Sequence, residues 1–89
     1  MSKQAAVWSV YLVECADGSF YTGIAIDVVA RVDQHNRGLG AKYTRGRRPV
    51  ELVYTTQAGD RGEALKLEYA LKQLTREQKQ HLIVSAAPN

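Results

Sequence analysis

The sequence predicts an α+β fold: a small, mostly antiparallel three-stranded sheet flanked by helices. Three observations carry this reading. Two β-rich runs are joined by an Asp-Gly pair near the start, a third such run follows Pro49, and apolar residues recur at helical spacing in later stretches. With 89 residues and 9.9 kDa there is room for one domain, read here as residues 1–89 with a core at about 7–84 and short frayed ends. A composition 45% hydrophobic and 24% charged excludes a disordered or collagen-like chain.

Val7 to Cys15 is rich in β-branched and aromatic residues, as a strand is. Alternation puts Trp8, Val10 and Leu12 on one face, all apolar, and Val7, Ser9, Tyr11, Val13 and Cys15 on the other, which is mixed. Trp8 is assigned to the core rather than to a dimer contact, because strand aromatics pack inward. Asp17-Gly18 marks a hairpin, since both residues tolerate the positive φ of tight primed turns, and Phe20 to Gly23 is the returning strand. Asp27 N-caps a helix running to about Asn36, which Gly38 and Gly40 stop. A basic loop follows. Pro49 lets Val50 to Gln57 begin a third strand centred on Leu52, Val53 and Tyr54. Asp60-Arg61-Gly62-Glu63 has capping-box spacing, and Ala64, Leu67, Leu71 and Leu74 recur at helical spacing behind it. Thr75-Arg76-Glu77-Gln78 repeats that logic and opens a short last helix bearing Leu82 and Ile83, before a frayed tail from Ala86 to Asn89.

Several function classes are excluded by simple counts. No apolar run approaches the roughly 20 residues of a membrane span, and Met1 to Ala6 lead into a strand rather than a signal-peptide core, so a cytoplasmic, membrane-independent protein is expected. A single cysteine and two histidines provide neither an internal disulfide nor a Cys-rich zinc site. The net charge of +3 hides an asymmetry. Arg37, Lys42, Arg45, Arg47 and Arg48 fall within one short segment that holds no acid, whereas elsewhere seven bases meet nine acids. Such clustering marks either a solvated loop or a polyanion contact.

Five positions carry side chains suited to chemistry. Arg31 and His35 stand four apart on a helix, so a fixed cation neighbours a group that exchanges protons near neutral pH; the same spacing also suits a solvated helix face. Tyr11 and Tyr21 lie on strands that the hairpin makes neighbours, although tyrosine is favoured in strands in any case. Glu68 falls between Ala64 and Leu65 around its helix, at the border of the apolar stripe. A carboxylate there calls for a partner, either an arginine or a divalent cation; the plain alternative is a salt-bridged glutamate at the rim.

Taken together, Ser9-Val10-Tyr11, Tyr21-Thr22-Gly23, Arg31, His35 and Glu68 resemble the GIY-YIG nuclease pattern, with Tyr, Tyr, Gly, Arg, His and Glu in order over nearly the whole chain. Gly40-Ala41-Lys42-Tyr43-Thr44 and Arg47-Arg48-Pro49 further resemble the small stand-alone bacterial YhbQ-type branch. Ser9 replaces the first glycine of the pattern, Thr22 an isoleucine, and Ala25 a threonine that many members carry.

The resemblance implies a metal-dependent endonuclease that hydrolyses phosphodiester bonds, with branched, nicked or single-stranded DNA favoured over RNA. Glu68 would hold one Mg²⁺ or Mn²⁺ ion, Tyr21 would act as general base, and Arg31 would stabilise charge on the phosphoryl group. Tyr11 would orient water or phosphate, His35 would relay protons or position substrate, and Gly23 would allow close backbone approach beside Tyr21. Lys42, Arg45, Arg47 and Arg48 would grip phosphates without reading sequence, while Tyr43 stacks on a base or packs on the sheet. The protein is expected to be a monomer or weak homodimer. The alternative from another class is a nucleic-acid-binding module that keeps the nuclease fold with little turnover; a protein-only adaptor fits worst, since five bases without an acid make a poor interface core.

Overall fold

In the computed structural model, which describes residues 6–86, β1 (Trp8–Glu14) is the central strand of a three-stranded sheet. β2 (Phe20–Ala25) and β3 (Glu51–Gly59) flank it, both antiparallel, in the order β2-β1-β3. The helices are α1 (Val28–Asn36), α2 (Lys42–Arg45), α3 (Arg61–Lys72) and α4 (Arg76–Ala86). None of them is long and apolar enough to cross a membrane. The ends expected to fray lie largely outside the described residues; Ala86 itself closes α4.

The alternation along β1 becomes two cores, one on each face of the sheet. Val10 and Leu12 pack with Ala64 and Leu71 of α3, joined by half-buried Trp8, Leu67, Leu82 and Ile83. The face that reads as mixed is buried too: Tyr11, Val13 and Cys15 pack with Ala25 and Val50, against Val28 and Val32 of α1. A sheet covered on both faces holds each strand residue in a fixed direction, which is what an aligned set of polar groups requires.

Local chemistry sets the helix ends. The Asp27 carboxylate accepts from the Ala30 N–H at 3.0 Å to start α1. At its far end the N–H of Gly38 donates to His35 C=O and that of Leu39 to Gln34 C=O, a Schellman motif in which Gly38 takes φ +79°. Asp60 and Glu63 form the reciprocal capping box of α3, and Thr75 with Gln78 repeats it at α4.

Four expectations change. The Asp17-Gly18 turn is not a primed one: Gly18 takes φ +84°, no other residue type has positive φ among the described residues, and Gly18 N–H donates to Cys15 C=O while Cys15 N–H donates to Ser19 C=O. This is a type I turn closed by a glycine bulge, with the Asp17 carboxylate accepting from Ser19 instead of adopting positive φ. The basic loop contains the four-residue helix α2, too short to show a periodicity. The third strand runs two residues further than expected, to Gly59, and Val50 precedes it with its backbone bonded in both directions to the Asn36 side chain. The last helix is not short, extending over Arg76–Ala86.

Candidate active site

Tyr11 lies on the central strand opposite Gly23 of β2, and Val13 lies opposite Tyr21, so the two tyrosines are diagonal neighbours on one face. Their ring centroids are 6.5 Å apart. A Cβ on Gly23 would sit 2.6 Å from Cζ of Tyr11, so the missing side chain makes room for the Tyr11 ring. The close approach therefore belongs to Tyr11, the cross-strand partner, rather than to Tyr21.

His35 sits on the last turn of α1 and is fully buried. Its Nε2 is 2.7 Å from the Tyr11 hydroxyl and its Nδ1 is 2.8 Å from Oγ1 of Thr44, which is also fully buried. His35 packs edge-on against the Tyr21 ring at 5.3 Å. Thus His35, expected to relay protons or position substrate, is placed behind the two tyrosines, because the α1 face that carries it is turned into the core. Burial, reinforced by the Arg31 charge, holds its pKa below the ordinary histidine value, so it is neutral at pH 7.

Arg31, one turn earlier, is half-buried and donates to the Gln34 amide oxygen at 3.0 Å. It also acts on Tyr11. Burial pushes the Tyr11 hydroxyl up to about 12, with Arg31 opposing the rise through hydrogen bonding and charge. The Glu68 carboxylate is near enough to add to that rise, although α3 belongs to the opposite layer. β2 is an edge strand and α3 packs against it, which brings a residue from the far side of the sheet to the tyrosines. Glu68 is half-buried, and the ammonium of Lys72, one turn on, stands 3.6 Å from it. Glu68 is thus paired at the rim in this structure, and among the described residues no cluster of three or more His, Cys, Asp or Glu side chains could hold a metal ion.

The basic segment divides into two parts. Arg47 donates to Asp17 Oδ2 at 3.0 Å and to Tyr43 C=O at 2.8 Å, and its guanidinium lies 4.0 Å from the Tyr43 ring centroid. Arg48 donates to the carbonyls of Arg45 and Asn36. Both arginines thus hold the loop together, which the local absence of acids concealed because Asp17 is supplied by the hairpin. Lys42 and Arg45 project from α2 into solvent, and neither is in a salt bridge among the described residues. Tyr43 packs on the sheet, its ring stacked on Tyr21 at 5.9 Å and 24°.

Two contributors escape a reading by residue type. Gly40 is buried, and a Cβ there would lie 2.7 Å from Cγ of His35, so this glycine serves the histidine rather than stopping the helix. Thr44 holds the other side of the same ring. Their only trace in the sequence is that both fall in the Gly40–Thr44 stretch.

A model of the GIY-YIG catalytic domain matches residues 7–81 of this chain. A UPF0213 protein of Staphylococcus aureus is 60% identical over 74 residues, spanning 83% of this chain and 90% of that protein. Among solved structures, the UPF0213 protein BH0048 from Bacillus halodurans is similar with a TM-score of 0.58 and 45% identity, over 90% of this chain and 85% of that one. The protein EF2693 from E. faecalis is similar with a TM-score of 0.60 and 39% identity, over 96% and 90%.

Proposed function

The chain belongs to the GIY-YIG catalytic-domain family, within its UPF0213 group, and from that premise we propose that it hydrolyses phosphodiester bonds in DNA with one divalent cation, Mg²⁺ or Mn²⁺. Branched, nicked or single-stranded DNA is the proposed substrate. The observation that carries this reading is the packing of Tyr11, Tyr21 and buried His35 against one another on one sheet face, where the charges of Arg31 and Glu68 both act on the Tyr11 hydroxyl.

Glu68 fits the ion: Mg²⁺ accepts a single carboxylate when waters and phosphate oxygens complete its shell. When bound, the ion supplies Lewis-acid polarisation of the phosphate and eases departure of the leaving oxygen. Arg31 meets the negative charge that builds on the phosphoryl oxygens, in a half-buried setting where charge acts strongly. Tyr21 is the proposed general base: as the phenolate it would receive the proton of the attacking water at its oxygen and become the neutral phenol. Tyr11 stays neutral, since its hydroxyl titrates only near 12, and so acts by orienting rather than by removing a proton. His35 holds Tyr11 from behind. Lys42 and Arg45 grip the DNA backbone, giving affinity without sequence preference.

The test is a cleavage panel of single-stranded, nicked, flapped and four-way DNA with Mg²⁺, Mn²⁺ or EDTA, run beside Glu68→Ala. Metal-dependent product, reduced at least about 100-fold by the substitution, is expected. Salt-sensitive binding with no product on any substrate would overturn the reading in favour of a binding module.

A further inference from the structure

The stretch Gly40–Thr44 surrounds His35, and its hydrogen bonds have a direction. Thr44 has one hydroxyl proton and two possible takers: Ala41 C=O at 2.9 Å and His35 Nδ1 at 2.8 Å. If the proton goes to Ala41, Oγ1 accepts from Nδ1–H, Nε2 is left as an acceptor, and the Tyr11 hydroxyl donates to it. Each buried polar group then has a partner. In the reverse arrangement Thr44 donates to Nδ1 and Nε2–H donates to Tyr11, and the bond from the Thr44 hydroxyl to Ala41 C=O, which can only accept, is lost. The first direction leaves both lone pairs of the Tyr11 oxygen free, whereas the reverse spends one of them on Nε2–H.

We propose that Thr44 is a positioning residue: by accepting the Nδ1 proton of His35 it fixes the histidine tautomer, so that the Tyr11 hydroxyl donates backward to Nε2 and presents its lone pairs to the reaction site. Gly40 completes the clamp by letting the backbone lie against the ring. The same turn of helix places Tyr43 on Tyr21 and carries the exposed Lys42 and Arg45. Thus α2 touches both tyrosine supports while it faces the proposed DNA contacts. The kinetic consequence rests on the proposed nuclease reading; the tautomer does not.

The decisive measurement is a long-range ¹H–¹⁵N correlation spectrum of the His35 ring near pH 7, in the wild-type chain, Thr44→Val and Thr44→Ser. The proton is expected on Nδ1 in the wild type and in Thr44→Ser, and shifted at least partly to Nε2 in Thr44→Val. Correspondingly, kcat falls about tenfold or more in Thr44→Val with KM and DNA affinity little changed, and Thr44→Ser restores it. A wild-type proton on Nε2 overturns the proposal without recourse to any variant. So does a folded Thr44→Val that keeps both the Nδ1 proton and full kcat. A wild type with the expected tautomer but no cleavage of any DNA would count against the nuclease reading alone.

Discussion

Gly23 and Tyr11 face one another across β1 and β2 so closely that a methyl group on Gly23 would fall 2.6 Å from the Tyr11 Cζ. The strand pair and the core above it hold the tyrosine ring, and its hydroxyl is committed to His35. Gly23→Ala is therefore expected to cost about 1–3 kcal/mol of stability by overpacking, and to lower cleavage by displacing the hydroxyl. Urea unfolding with a cleavage assay checks both; an unchanged midpoint would mean that the ring swings aside freely.

Thr22 offers the opposite case. It is buried at 3% exposure, and its hydroxyl has no hydrogen-bond partner. A hydroxyl buried in this way is destabilising relative to an apolar group of the same shape. Thr22→Val should raise stability by about 1 kcal/mol, read as a higher denaturant midpoint with unchanged slope.

Stability should also respond to pH through His35. Its folded pKa lies below the ordinary value because burial opposes the charged ring, so the unfolded chain binds the proton more readily. Stability is then full above the unfolded pKa of about 6.5 and declines as pH falls below it, with a slope of at most about 1.4 kcal/mol per pH unit. Chemical unfolding between pH 5 and 8 should show this decline, and His35→Gln should flatten it. A rise in stability on acidification over that range would contradict the burial of a neutral ring.

The division of the basic segment can be read by salt. Lys42→Ala and Arg45→Ala should each weaken DNA binding and reduce the slope of log K against log salt by about 0.7–0.9, with no loss of stability. Arg47→Ala should instead lower stability by less than about 1 kcal/mol, because its pair with Asp17 and its contact with Tyr43 are partly exposed. Equal salt effects at all three positions would mean that Arg47 releases Asp17 when DNA binds.

What could be read from the sequence had causes that act over a few residues. Asp27, the Asp60 and Glu63 pair and the Thr75 and Gln78 pair bond backbone groups three positions away, so spacing alone marks the starts of α1, α3 and α4. Alternation along Val7 to Cys15 likewise separated the two sheet faces correctly. The Asp17-Gly18 pair marks the place of the turn but not its type, because one glycine at positive φ serves a bulged turn as well as a primed one.

Residue order alone marks the three strands, the helices α1, α3 and α4, the two faces of β1, and the ordered set of Tyr, Tyr, Gly, Arg, His and Glu that marks the family. Tertiary structure alone decided how those groups meet. Packing α1 on the sheet buries His35 behind Tyr11, and packing α3 at the edge strand brings Glu68 from the opposite layer. Arg47 and Asp17 pair across thirty positions, and Thr44 meets His35 across nine. No local periodicity encodes such contacts, since they depend on where whole elements dock. For that reason the sequence marked a basic loop, whereas the fold makes of it a short helix that clamps a histidine.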